Sequence, residues 1–278
     1  MKIIEPHIHM LSRTTDEYQA MYHAGIRACV EPSFWLGTNR RYAGSFFDYF
    51  RLILEFETVR AARFGIDHYC AIAMNPKEAD DRGLADEVMD GMAEYLSHPR
   101  CVALGEVGFN LNTPNEEYAL IRQLHMAEER QMPVILHTPH VDKLRGTRRI
   151  LEIVKAEGLT VERIDVDHNT EETIKLTLDS GCYAGMTVYP FSKLTPQRVS
   201  AMVKQVGHAR VIVNGSADWG VSDPLSLIKV VDFMRQDGHS EAVIQDMVFN
   251  TAMQFYSASP NWKPNFAIEP IDPRVYQR

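Results

Sequence analysis

With 278 residues, 45% of them hydrophobic and 24% charged, the chain has enough apolar matter for a sizeable core and is not compositionally disordered. A net charge of −8 without any dense Lys/Arg run weighs against an extended nucleic-acid footprint, and no apolar run approaches the ~18 residues of a membrane span. Charge and proline interrupt the segment from Met1 to His7, where a secretion signal would need apolar residues, so a cytoplasmic protein is expected.

In chain order, short apolar runs predict strands at 2–9, 26–32, 67–74, 101–107, 133–138, 163–168, 182–188 and 211–216. Amphipathic segments between them predict helices at 15–24, 47–64, 84–97, 115–131, 142–157, 171–180, 195–206 and 224–236. Continuous apolar runs such as Val134-Ile135-Leu136 suit parallel strands covered on both faces. Asn169-Thr170-Glu171-Glu172 reads as a helix start with two solvated glutamates. Eight such βα units predict an α/β protein of the TIM (β/α)8-barrel class, one domain over residues 1–278. An additional helix is expected at 240–257, and a tail containing Pro260, Pro264, Pro270 and Pro273 is expected to wrap the barrel exterior. Cys29, Cys70, Cys101 and Cys182 each fall in a strand-like run and read as reduced core thiols.

The polar residues that end these strands carry the chemistry. His7 and His9 are two apart on the first predicted strand, so period two points both imidazoles to one side. Glu106 lies between glycines at the end of the fourth strand, in an apolar setting where a carboxylate wants a cation. His137 and His168 close the fifth and sixth strands, and Asp218 follows the eighth, which lies beside the first when a barrel closes. All six fall on the carboxyl-end face, where active sites of such barrels lie. Imidazoles and carboxylates without a thiolate suit divalent Zn²⁺ or Mn²⁺, with Mg²⁺ or another divalent ion as the alternative. Six ligands are many for one tetrahedral ion with an open position, so two ions bridged by Glu106 and a hydroxide are expected, with one ion and outer carboxylates as the alternative.

Around this centre the long segment from Ser33 to Gly44 mixes aromatics and arginines as a functional loop would. Glu31, His140, Phe34, Trp35, Arg40 and Arg41 are candidate substrate contacts, the last four as a lid that grips an aromatic or anionic molecule. Asp167, next to His168 on a strand, is expected to point away from it and serve as a cap or salt bridge.

The order His7-Ile8-His9, Gly105-Glu106-Val107-Gly108, Pro133-Val134-Ile135-Leu136-His137, His168 and Asp218 resembles the TatD-related hydrolases of the amidohydrolase superfamily over nearly the whole chain. The resemblance implies that His7, His9 and Asp218 hold one metal, His137 and His168 the other, and Glu106 bridges them. It also implies that Asp218 orients the attacking hydroxide and takes its proton. The chain departs from the family where substrate is read: Gly108-Phe109-Asn110 replaces Gly-Leu-Asp, Thr138-Pro139-His140 follows the fifth strand, and Asn169-Thr170-Glu171 the sixth. The expected activity is therefore metal-dependent hydrolysis of a phosphoester, amide or lactone bond in a small substrate. A metal-dependent deoxyribonuclease, a lyase or decarboxylase on the same barrel, and a non-catalytic metal-binding scaffold are the alternatives. The sequence leaves the oligomeric state open, a homo-oligomer included.

Overall fold

The computed structural model describes residues 1–272. Eight strands, β1 (Ile3–Glu5), β2 (Ile26–Pro32), β3 (Asp67–Ile72), β4 (Cys101–Gly108), β5 (Val134–His137), β6 (Ile164–Val166), β7 (Tyr183–Thr187) and β8 (Val211–Asn214), pair in sequence order, each parallel to the next. Nearly every strand residue is buried, as parallel strands covered by helices outside and side chains inside must be. Closure comes just beyond the strands themselves. The Ser216 amide donates to His7 O at 2.8 Å and the His9 amide to Ala217 O at 2.9 Å. Between them the Gly215 amide donates to Glu5 Oε1 at 3.0 Å, so a buried side chain bridges β8 to β1 where the backbones part.

The helices start where local chemistry supplies caps. Thr113 and Glu116 form a reciprocal capping box at the head of Pro114–Glu129, and Glu116 also accepts the amides of Asn110, Leu111 and Asn112 at 2.9 Å each. That carboxylate fixes the loop leaving β4. Two expected helices carry wider π-helical turns, Leu52–Glu57 and Asp246–Asn250, and the 84–97 helix is interrupted at Met92. The helix expected from 171 shrinks to Ile174–Asp179, because the Asn169 side chain is spent on Val166 O at 2.6 Å instead of a helix start.

The helix expected at 240–257 is present, and Pro270 and Ile271 of the tail lie beside Gly65 and Arg63 outside the barrel, but the end of that helix and Trp262 turn inward. Phe255, Tyr256 and Trp262 do not lie on the barrel exterior; they pack with the interior residues Ile4, Val30, Ala71, Ala103, Ile135 and Ile212. The Trp262 ring centre lies 4.8 Å from that of Tyr69 and 5.1 Å from that of Tyr256, both tilted, and the Tyr256 hydroxyl donates to Pro6 O at 2.7 Å. The small residues lining the barrel leave its amino-end mouth unfilled, and this aromatic stopper fills it. Pro273 lies outside the described residues. All four cysteines are free and buried. Among the described residues no helix is long and apolar enough to cross a membrane.

Candidate metal centre

At the opposite, carboxyl-end mouth, β4 pairs with β5 through Leu104–Val134 and then Val107–Leu136, and the register slip between them is a bulge that places Glu106 in the mouth. Gly108 has φ +147°, and a Cβ there would lie 2.2 Å from His137 O, so only glycine lets the two strand ends approach this closely.

β1 ends at Glu5, so His7 and His9 stand beyond the strand, not on it. They nevertheless converge, with Nε2 atoms 3.1 Å apart. Their other nitrogens decide the chemistry: His7 Nδ1 is 2.6 Å from Asp167 Oδ2 and His9 Nδ1 is 3.1 Å from Pro32 O. Both partners are acceptors, so each Nδ1 carries the hydrogen and each Nε2 presents a lone pair. Glu106 Oε1 joins them 3.3 Å from His7 Nε2. Lone pairs facing one another in this way suit a cation between them.

A second set shares the same carboxylate. His137 Nδ1 and His168 Nε2 are each 3.2 Å from Glu106 Oε1 and 3.1 Å from each other, and His137 Nε2 is buried without a hydrogen-bond partner. In both sets, His7–His9–Glu106 and Glu106–His137–His168, the possible ligand atoms lie within 4.8 Å of one another. Burial, with His7 adding to it, pushes His9 down to about 3, and burial also lowers His137 and His168, so these imidazoles are neutral and have electron pairs to give. Neutral imidazoles around an ionised carboxylate fit a divalent cation.

Asp218 is set apart from both sets. It lies four residues past the end of β8, after a Ser216 with φ +43°, and its Oδ1 accepts the Tyr189 hydroxyl and the Gly220 amide, both at 2.7 Å. It lines the same cleft, of about 180 Å³, that exposes His9, Glu106, His137 and His168.

Several expectations about the surroundings need correction. Asp167 does not point away: His168 has φ +62°, which breaks strand alternation, and the buried Asp167 carboxylate turns inward. There it accepts from Asn214 Nδ2 at 3.0 Å, Thr187 Oγ1 at 3.2 Å and the His168 amide at 2.6 Å, besides holding His7. A Cβ at position 185 would meet its Oδ1 at 2.2 Å, so Gly185 makes the room it occupies. Glu31 does not enter the mouth; its carboxylate meets His68 Nε2 and the Leu11 amide, each at 2.8 Å. Arg40 pairs with Glu78 and lies 3.7 Å over the Phe46 ring, so it anchors the loop and does not reach substrate. Arg41 is exposed and lines a separate surface cavity with Arg40 and Glu78. Trp35 and His140 do line the cleft, the His140 ring 6.2 Å from that of His137. Trp219, Lys77, Lys193 and Tyr189 line it too, although no spacing pattern singled them out. Their only signal is position, each following the carboxyl end of a strand.

A buried His/Glu centre at the carboxyl ends of eight parallel strands defines a metal barrel of the amidohydrolase type. The chain belongs to the TatD related DNase family, whose model matches residues 5–216. It is 26% identical over 259 residues to an uncharacterized metal-dependent hydrolase of Methanocaldococcus jannaschii, covering 91% of this chain and 99% of that one. The fold is similar to that of a TatD-like protein of Archaeoglobus fulgidus, with a TM-score of 0.74 at 24% identity, covering 91% of this chain and 99% of the other. It is also similar to the phosphotriesterase homology protein of Escherichia coli complexed with phosphate in its active site, with a TM-score of 0.67 at 19% identity over 92% and 98% of the two chains.

Proposed function

We propose that the protein is a metal-dependent hydrolase that cleaves a phosphoester, amide or lactone bond of a small substrate, with His7, His9, Glu106, His137 and His168 holding two divalent ions, zinc or manganese. The observation that carries this reading is the pair of His/Glu clusters sharing Glu106 Oε1, whose facing ligand atoms suit divalent cations. The M. jannaschii relative, named a metal-dependent hydrolase, supports it. Divalent ions bound there would lower the pKa of water from ~15.7 toward ~7 and polarise the scissile group.

The chain's own residues do the rest. Asp167 fixes the His7 tautomer, and Pro32 O fixes that of His9. Asp218 is the proton acceptor: Tyr189 and Gly220 hold its Oδ1, which leaves Oδ2 to take the proton of the attacking water. Phe34, stacked on His9 with ring centres 3.8 Å apart, shields that imidazole from bulk water.

Substrate size follows from the cleft. A volume of about 180 Å³ is below the ~300 Å³ typical of drug-sized ligand sites. A larger cavity of about 880 Å³, bordered by Glu117, Lys143 and Arg149, contains none of the ligand residues. A duplex backbone would need a groove running to the metals, so a small molecule fits better than DNA.

The test is an assay of the metal-loaded protein against phosphodiester, amide and lactone panels with a DNA duplex alongside. Hydrolysis of a small substrate is expected, with Asp218→Asn keeping its metal and losing turnover by ~100-fold or more. Cleavage of DNA alone, or an undiminished Asp218→Asn rate, would contradict the proposal.

A further inference from the structure

Two lysines reach into the cleft, and the proposed hydrolysis does not use them. Lys193, in the loop after β7, is half-buried with Nζ 3.2 Å from His168 Nδ1, 3.4 Å from His168 Nε2 and 3.4 Å from Ser216 Oγ. Lys77, in the loop after β3, places Nζ 4.5 Å over the ring of Trp35. Neither ammonium has a carboxylate within ion-pair distance among the described residues, unlike Arg13, paired with Glu17, and Arg40, paired with Glu78. The same cleft has an aromatic wall. Phe34 and Trp219 have ring centres 4.8 Å apart, Trp35 meets Trp219 edge-on at 5.9 Å, and Trp219 remains 45% exposed.

We propose that this mouth selects a small organic anion, with Lys193 and Lys77 neutralising its carboxylate or phosphoryl group and Trp219 with Trp35 receiving its flat apolar part. The inference rests on the metal-centre reading above, and the charge balance strengthens it. Divalent ions in both sets would use up the negative charge of Glu106, Asp167 and Asp218, the groups that otherwise offset Lys193. A half-buried ammonium left beside metal cations is costly unless an anion arrives with the substrate. Neutral esters or lactones of the same size would leave the half-buried Lys193 unsatisfied, which gives the site a reason to reject them. Trp219 is a suitable partner for the remainder of the molecule because a large exposed indole at a concave mouth gains most by being covered.

Isothermal titration of the metal-loaded protein with benzoate, phenyl phosphate and the uncharged benzamide tests this, with metal content measured on every variant. The anions are expected to bind ~10-fold or more tightly than benzamide, as charge-assisted hydrogen bonds of ~1.5–3 kcal/mol imply. Lys193→Met and the surface variant Lys77→Met should each weaken anion binding by about 10-fold while leaving benzamide unchanged. Whichever anion loses more on Lys193→Met identifies the recognised group. Trp219→Leu should weaken phenyl phosphate but not inorganic phosphate. Anion affinities equal to wild type in both lysine variants at full metal content would overturn the inference, because the metals alone would then account for anion binding. If lysine-dependent binding persists but no panel substrate is hydrolysed, the hydrolase reading fails and this one stands.

Discussion

At the scale of single residues, the centre depends on a carboxylate that is not itself placed to bind metal. Asp167 takes the Nδ1 hydrogen of His7 at 2.6 Å and is held in turn by Asn214 and Thr187. Although burial works to raise its pKa, the neighbouring His168 and His7 hold it far below the usual carboxylate range, so it stays ionised in its role. Asp167→Asn should therefore lower metal affinity by about 10–100-fold with the fold intact, read by competition with a chromophoric chelator alongside circular dichroism. Unchanged affinity would show that His7 needs no such partner. This residue also marks the limit of reading a site from sequence. Glu106, His137 and His168 were legible because each is the polar residue at the end of an apolar run, and that position fixes the barrel face. Asp167 was not, because period-two alternation assumes regular strand dihedrals and His168 has φ +62°. Arg40 looked like a substrate contact because nothing in its neighbourhood reveals Glu78, 38 positions away, as its partner.

At the scale of elements, strands were easier to place than helix starts. A buried parallel strand announces itself by an unbroken apolar run, whereas a helix begins where a side chain is free to cap it. Asn169 illustrates this: its amide is committed to Val166 O and Gly185 O, and the helix waits until Ile174. The inward turn at Trp262 was not legible for a related reason. Apolar content shows that Phe255, Tyr256 and Trp262 will be buried but not whether inside the barrel or against its helices. Their position inside makes a quantitative expectation. Trp262→Ala removes the outermost part of the stopper, and as a large-to-small change at a buried aromatic it should cost about 3–5 kcal/mol in urea unfolding. A loss below ~1 kcal/mol would mean that the tail merely covers the barrel.

At the scale of the whole molecule, the barrel stacks polar groups between its aromatic stopper and its metal mouth. Asp165 on β6 is buried with Oδ1 lacking a partner, and burial, reinforced by Asp167, raises its pKa well above the ordinary carboxylate value. The folded chain thus keeps a proton that the unfolded chain releases, so this group's contribution to stability is fully present below the unfolded pKa of about 3.8 and declines as pH rises toward the folded value. In chelator-treated protein, thermal melts between pH 4 and pH 8 should show Asp165→Asn losing less stability with rising pH than wild type; parallel curves would place the proton elsewhere. The same low-dielectric interior favours cations within the histidine and Glu106 clusters, which leads to the most direct measurement. Elemental analysis of protein stripped of metal and then reconstituted with zinc or manganese is expected to saturate at two ions per chain, and at fewer when Glu106 is replaced by Gln. Saturation at background level, with the five ligand residues intact, would contradict the account at its root.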